Sequence, residues 1–440
     1  MALLKPSLRK QYAVATGASG SIIYGENGRQ WIDAASGAIA CTIGYGHPHV
    51  IAEANKAMKA TSFLYRTQFT NEPAERLAAR LCSRLGYAAA FFVNSGSEAV
   101  ETAVRIAMQV SRERGLPSKT RILSRRLSYH GATSGALALS GHWPRRRTAG
   151  PLHGEPSQPT PFCFRCPLGR ELRSCGLACT DALDDEIAQH GAENVAAFIL
   201  EPIVGASGAA IVPPLGYLAR VREICDRHGI LLIADEVLTG IGRTGAWLAM
   251  DHAGVRADIV CLGKGLNAGY LPISGVVISE PLHDCLRQGS GQFPLGHTHS
   301  NHPVAAAVAN AVIDVVESEG LIERARTVGA DFGARLNEVA RDSPLVGQVR
   351  GTGMLWGLEL VANRTDFAPF SPAVSVAEKV VAHAHDLGLV VYPASGFAGA
   401  RGGDAIILAP PLNISTQNLD QVASLCEQAL AMAARELGIY

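Results

Sequence analysis

The chain has 440 residues, 48% of them hydrophobic, with 39 basic and 39 acidic side chains that cancel. That length suffices for two or three domains with ample cores, and the balanced charge argues against a basic field for nucleic acid or a polybasic stretch for a membrane surface. No apolar run reaches the length of a transmembrane helix. Met1 to Lys10 is basic, but no apolar segment of a signal peptide follows it. The ten cysteines are scattered, and Cys41, Cys82, Cys225, Cys261, Cys285 and Cys426 lie in apolar or helical contexts. They read as small buried hydrophobes of a reducing compartment. The expectation is a cytoplasmic protein with no nucleic-acid or membrane partner.

In chain order, Ile22-Ile23-Tyr24, a turn at Glu26-Asn27-Gly28 and then Trp31-Ile32 predict a hairpin over 21–36. From about 47 to 318, short apolar strands alternate with helical patterns, which points to a mostly parallel sheet covered on both faces. Its strands are expected over 90–93, 197–200, 230–234, 259–262 and 274–278, and a long helix follows from Pro303 to Glu319. Further strands over 355–360, 387–392 and 405–408 alternate with helices. The last helix, about 416–437, carries Leu419, Val422, Cys426, Ala429 and Ala433 at helical spacing. The expected class is α/β. A large domain would span 46–320, with a cysteine-containing insertion at 154–180. A smaller α+β domain would combine 1–45 with 321–440.

Lys264 stands out. The run Ile259 to Leu262 reads as a buried strand that delivers a lone lysine between Gly263 and Gly265. Losing the ammonium's hydration is costly, so a lysine at such a place has a lowered pKa and a nucleophilic amine. Schiff-base chemistry with an aldehyde, above all pyridoxal phosphate, suits it; an exposed loop lysine is the plain alternative. Such a cofactor needs a phosphate cradle, a partner for its ring nitrogen and faces to stack on. Phe91-Phe92-Val93 followed by Asn94-Ser95-Gly96-Ser97-Glu98 reads strand, polar loop, helix. Ser95 and Glu98 match a capping box, while the N–H groups of Gly96 and Ser97 with the Ser95 hydroxyl could equally hold a phosphate. Asp235 closes the apolar strand Leu231 to Ala234, at the sheet edge where ligands bind in open α/β folds. It could keep a pyridine nitrogen protonated, or simply cap the loop.

Three other fragments bear on the site. Ser128-Tyr129-His130-Gly131 offers a stacking ring with a histidine beside it, although a surface turn would look the same. Glu201 ends the strand Phe198-Ile199-Leu200 and would lie near the same edge. Gly240-Ile-Gly242-Arg-Thr-Gly245 fits a dinucleotide pattern, but Asp258 opens the next strand instead of closing it, so the nicotinamide reading fails.

Taken in order, Asn94-Ser-Gly-Ser-Glu98, Asp235-Glu-Val-x-Thr-Gly-x-Gly-Arg-Thr-Gly245, Gly263-Lys264-Gly and His297-Thr298-x-Ser300-x-His302-Pro303 resemble class-III pyridoxal-phosphate aminotransferases, the ω-aminotransferase group of the fold-type-I enzymes. The resemblance runs from Trp31-Ile32-Asp33 and Gly44-Tyr-Gly-His47-Pro48 to Pro410-Pro411-Leu412. It implies pyridoxal 5'-phosphate as cofactor, with Lys264 as the lysine of the internal aldimine and as proton shuttle. It further implies Asp235 on the pyridine nitrogen, Val237 under the ring, Tyr129 on the other face, and Gly96 and Ser97 at the phosphate. Thr298 matches a threonine that reaches the phosphate across a dimer interface, which implies a homodimer with shared sites. The expected reaction passes an amino group from an amine or ω-amino acid donor to a keto acid such as pyruvate. A racemase, epimerase or aminomutase of the same fold is the alternative.

Two departures qualify the resemblance. Relatives acting on γ-aminobutyrate or ornithine-type substrates carry a second glutamate where this chain has Ala206. Arg401, in the glycine-rich loop 396–403, is a candidate carboxylate-binding residue or an exposed loop arginine. Tyr65 and Trp143 are candidates for the substrate pocket or for packing. Cys163, Cys166, Cys175 and Cys179 form C-x2-C-x8-C-x3-C. That spacing is compatible with a structural zinc site, with packed free thiols or with a redox-sensitive disulfide.

Overall fold

The computed structural model describes residues 3–147, 149, 152, 154–399 and 402–439. Strands β1 (Ala15–Ser19), β2 (Ile22–Gly25) and β3 (Gln30–Asp33) form an antiparallel meander. The expected hairpin is β2–β3, turned by Asn27 in a left-handed conformation (φ 60°) that asparagine tolerates better than most residues. β1, Ala-Thr-Gly-Ala-Ser, carries no apolar alternation to announce it.

Six strands make the central sheet: β4 (Ala89–Val93), β5 (Arg121–Leu123), β6 (Val195–Leu200), β7 (Leu231–Asp235), β8 (Ile259–Leu262) and β9 (Ser274–Ile278). Their order is β4-β9-β8-β7-β6-β5. Strands β5 to β8 pair in parallel, and β9 runs antiparallel between β8 and β4. β6, β7 and β8 are buried along their whole length. Leu232, Ala234, Val260 and Leu262 pack on one face, and Ile233, Ile259 and Cys261 on the other. Burial on both faces is why these strands read as continuous apolar runs. The first face is covered by helices Glu72–Leu85, Tyr217–His228 and Pro303–Ser318, through Leu77, Val221 and Ile313. Helices Gly96–Glu113 and Glu280–Gln288 cover the second through Val100, Ile106 and Leu282.

Strands β10 (Val346–Thr352), β11 (Leu355–Leu360), β12 (Leu389–Val390), β13 (Tyr392–Ser395) and β14 (Asp404–Leu408) complete the sheets. β10-β11-β14-β13 is an antiparallel sheet, whereas β12 pairs in parallel with β3, Leu389 opposite Ile32. The single strand expected over 387–392 is therefore divided between two sheets, with the break at Val391. Helices Leu321–Asp342, Val376–Asp386 and Thr416–Glu436 pack here through Phe332, Val380, Val422 and Leu430. Among the described residues, no helix is long and apolar enough to cross a membrane.

Register positions the chemistry. Leu200 lies opposite Ala234, and Asp235 opposite Cys261. Because β6, β7 and β8 run parallel, the residues at and after their ends, Glu201, Asp235 and Lys264, gather at one edge. β4 is antiparallel to β9, which is antiparallel to β8, so β4 runs with them and brings Gly96 and Ser97 to the same edge. In an open α/β sheet that edge is where ligands bind.

Candidate active site

A cavity of about 340 Å³ opens at this edge, lined by Lys264, Asp235, Glu201, Tyr129, His130 and Ser97. Larger cavities of about 430 Å³ beside Phe91 and about 740 Å³ beside Ser118 have no lysine in their walls.

Lys264 begins a short 3-10 turn, Lys264–Leu266, with its backbone in the left-handed region (φ 39°). A non-glycine residue there costs about 1–3 kcal/mol and persists only where the surroundings impose it. The residue is partly exposed, through the cavity it lines. Desolvation lowers the lysine's pKa below its ordinary value, and the negative charges of Asp235 and Glu201 oppose that shift. A larger share of neutral amine follows, which is the nucleophilic form.

Asp235 is gripped at both oxygens. His130 Nδ1 lies 2.8 Å from Oδ2, with the two side chains 0% and 5% exposed. The Val237 N–H donates to Oδ1 at 3.1 Å. The His130 N–H donates to Ser140 Oγ at 2.7 Å, while His130 Nε2 is buried without a partner.

Glu201 lines the same cavity. Its Oε1 accepts the Tyr129 N–H and its Oε2 the Gly205 N–H, both at 2.9 Å. Burial pushes the carboxyl's pKa up; nearby His130 pulls it down. Arg125, fully buried, donates to the Glu201 carbonyl. This framework sets the backbone that carries the Tyr129 ring.

The helix Gly96–Glu113 starts at the cavity. Ser95 caps it, its Oγ accepting the Glu98 N–H at 3.2 Å. The Glu98 carboxylate reaches back to the N–H of Asn94 (2.7 Å), one residue earlier than a capping box requires. The first N–H groups of a helix have no partner within it, and those of Gly96 and Ser97 begin this one. A Cβ at Gly96 would sit 2.8 Å from Val237 Cγ1, and one at Gly131 would collide with Ser97 Oγ. Both glycines thus permit contacts that build the pocket.

Other candidates lie apart. The Ser95 hydroxyl is engaged by the cap, and Ser95 is exposed and off the cavity wall. Thr298 is exposed and does not line this cavity. Tyr65 and Trp143 are 55% and 68% exposed and likewise lie off its wall. Arg401 lies outside the described residues. Cys163, Cys166, Cys175 and Cys179 are free thiols around a cavity of about 20 Å³. No group of three or more His, Cys, Asp or Glu among the described residues is arranged to hold a metal ion. Ala206 does line the Lys264 cavity, together with two residues the sequence did not single out, Arg145 and Tyr392. Arg145 sits in the run Arg145-Arg146-Arg147 and Tyr392 at the end of an apolar run, and nothing local marks either as facing a pocket.

Comparison with known proteins places this arrangement. The sequence profile described as "Aminotransferase class-III" matches residues 5–430. The Bacillus subtilis protein named "Uncharacterized aminotransferase YodT" is 42% identical over 439 residues, 99% of this chain and 98% of that one. The putrescine–pyruvate aminotransferase of Pseudomonas aeruginosa is 33% identical over 426 residues, 96% and 91% of the two chains. Among solved structures, an amine transaminase from an uncultivated Pseudomonas species, in its PLP-bound internal-aldimine form, superposes with a TM-score of 0.92 at 33% identity, covering 98% of each chain. These relationships imply dependence on pyridoxal phosphate and confirm the fold-type-I architecture. The chain belongs to the class-III aminotransferases and is a transaminase.

Proposed function

We propose that the protein moves an amino group from an amine or ω-amino acid donor to a keto acid such as pyruvate, with pyridoxal 5'-phosphate held in the Lys264 cavity, and that it works as a cytoplasmic homodimer. The observation that carries this reading is the convergence of Lys264, Asp235 and the Gly96-Ser97 turn on one cavity.

The residues present suit the cofactor. An amine whose pKa is lowered by burial suits an aldehyde, a helix N-terminus suits a phosphate, and a buried acid suits a pyridine nitrogen. The close approach of Val237 to Gly96 provides an apolar wall for a ring. When bound, the cofactor supplies an aldehyde for the incoming amine and a ring that accepts the electron pair left as a C–H bond breaks.

The chain does the rest. Lys264 Nζ accepts a proton from the donor's amino-bearing carbon and returns it, as general base and then general acid. Asp235, oriented through His130 and the Val237 N–H, presents fixed negative charge where positive charge has to be held. Tyr129 supplies a stacking face, set in place by Glu201. The N–H groups of Gly96 and Ser97 receive the anion. Thr298, exposed and away from its own chain's cavity, is assigned to the partner protomer's site.

The test is an absorbance titration of the purified, cofactor-loaded protein with amine donors and no acceptor. A yellow protein that bleaches with donors and recovers with pyruvate is the expected result. A colour that persists while a chiral amino acid loses optical activity would overturn it in favour of racemisation.

A further inference from the structure

Three consecutive arginines follow Trp143-Pro144, and the short helical turn Trp143–Arg146 sends them in different directions. Arg146 Nη1 donates to the carbonyls of Leu137, Ala138 and Ser140 at 3.0, 2.9 and 2.9 Å, closing the end of the helix Ser134–Ala138. Arg147 is exposed. Arg145 enters the wall of the Lys264 cavity. The turn that aims it is fixed from outside: His142 Nε2 lies 2.7 Å from the Ser395 carbonyl, and Gly396 lies so close to Pro144 that a Cβ there would collide with it.

Arg145 meets no anion among the described residues. Its guanidinium carbon stands 4.0 Å from the centroid of the Tyr129 ring, and its Nη2 is 3.4 Å from Tyr392 Oη. Its Nη1 is buried and makes no hydrogen bond. No ion pair of Arg145 occurs among the described residues. The cavity's own acids are engaged elsewhere, Asp235 by His130 and the Val237 N–H, Glu201 by the N–H groups of Tyr129 and Gly205. Ala206, also on the wall, offers no carboxylate. Arg145 is partly buried; an arginine stays charged at any physiological pH, and a buried N–H left without a partner is costly. The Tyr129 ring stabilises the charge there, and the unpartnered Nη1, beside an Nη2 held only by the long contact to Tyr392, suits two-pronged recognition of a carboxylate.

The geometry points to Arg145 as a specificity-determining residue whose guanidinium receives the carboxylate of an amino acid donor and of the keto-acid acceptor. This rests on the transaminase reading of the Lys264 cavity. It selects carboxylated substrates over simple amines, and it places selection on the Trp143–Arg146 turn. The cofactor's own phosphate is the competing anion, and the experiment separates the two.

Wild type, Arg145→Met and Arg145→Lys are loaded with pyridoxal phosphate, their cofactor content is measured, and each is titrated calorimetrically with propionate, a carboxylate with no amine. Cofactor bleaching by β-alanine and by propylamine is compared in parallel. Propionate binding and the preference for β-alanine should both fall about 100-fold in Arg145→Met, as for loss of a buried charge partner. Arg145→Lys, which keeps the charge without the fork, should recover part of both, and all three proteins should hold equal cofactor. Propionate that fails to bind wild type, or binds Arg145→Met as tightly, overturns the proposal. So does loss of cofactor from Arg145→Met with donor preference unchanged, which would assign the arginine to the phosphate. If wild type is bleached by no amine, the transaminase reading fails instead, and propionate binding still decides the role of Arg145.

Discussion

His130 Nδ1 faces Asp235 Oδ2 at 2.8 Å with both side chains closed to solvent. An ionised carboxylate only accepts, so His130 Nδ1 is the donor of this pair, and Nε2 is buried and unpartnered. The histidine therefore holds the acid in one orientation. His130→Ala should remove a buried donor and lower stability by about 1–3 kcal/mol, with turnover falling as Asp235 loosens. His130→Gln keeps a donor and should regain part of both. Thermal unfolding and steady-state rates of the two variants check this.

Asp235→Asn keeps the volume and the acceptor for the Val237 N–H but removes the negative charge. Electrostatic stabilisation of the reacting centre should be lost while the fold stands, a fall in kcat of roughly 10²–10³-fold. The amide NH2 then faces His130 Nδ1, which accepts from it once the ring carries its proton on Nε2, so the melting temperature should stay close to that of wild type. A variant that unfolds early would show instead that the carboxylate is structural.

Gly96 and Val237 test the pocket's shape. Alanine is the better helix former, though Gly96 is only the first residue of its helix, and a Cβ at Gly96 would lie 2.8 Å from Val237 Cγ1. Gly96→Ala should weaken cofactor binding in spite of the favourable propensity. Adding Val237→Ala should restore much of it. The cofactor dissociation constants of the single and double variants form the cycle that decides.

Much of this site is legible in one sequence because its parts are local. A buried apolar run ending in Asp235 or leading to Lys264 announces both a strand and its edge, and β8 and β9 have the bounds expected of them. What escapes is non-local. β5 is three residues led by an arginine, and β10 mixes glycine with partly exposed positions, so only their pairing partners make them strands. Arg145 is one of three adjacent arginines, and its approach to Tyr129 depends on a turn clamped by Ser395 and Gly396, some 250 residues away. The Cys163–Cys179 spacing places four thiols around one small cavity, but spacing alone does not distinguish a metal site from packed thiols or a disulfide.

Lys264 also makes stability depend on pH. Its folded-state pKa is lowered, chiefly by desolvation, so without cofactor the unfolded chain binds this proton more tightly. The penalty is fully present below the folded-state pKa and fades as pH rises toward the ordinary lysine value of 10.5. Cofactor-free Lys264→Met should therefore be more stable than cofactor-free wild type near neutral pH, with the gap narrowing as pH climbs. Thermal melts of the two apoproteins across that range check the sign.

Glu236, next to Asp235, gives the opposite pH dependence. It is buried, its Oε1 accepts the Met250 N–H at 2.9 Å and Thr239 donates to Oε2. Desolvation pushes its pKa from 4.5 up to about 7, against those hydrogen bonds. The folded state here holds the proton more tightly than the unfolded chain does. Wild type accordingly loses stability as pH rises from 4.5 through about 7, and the loss is complete above that. Glu236→Gln cannot ionise and keeps one carbonyl acceptor for the Met250 N–H, so it should escape this loss. Relative to wild type its melting temperature should climb between pH 4.5 and about 7 and then level off. A constant difference across that range would mean that Glu236 titrates alike in the folded and unfolded chains.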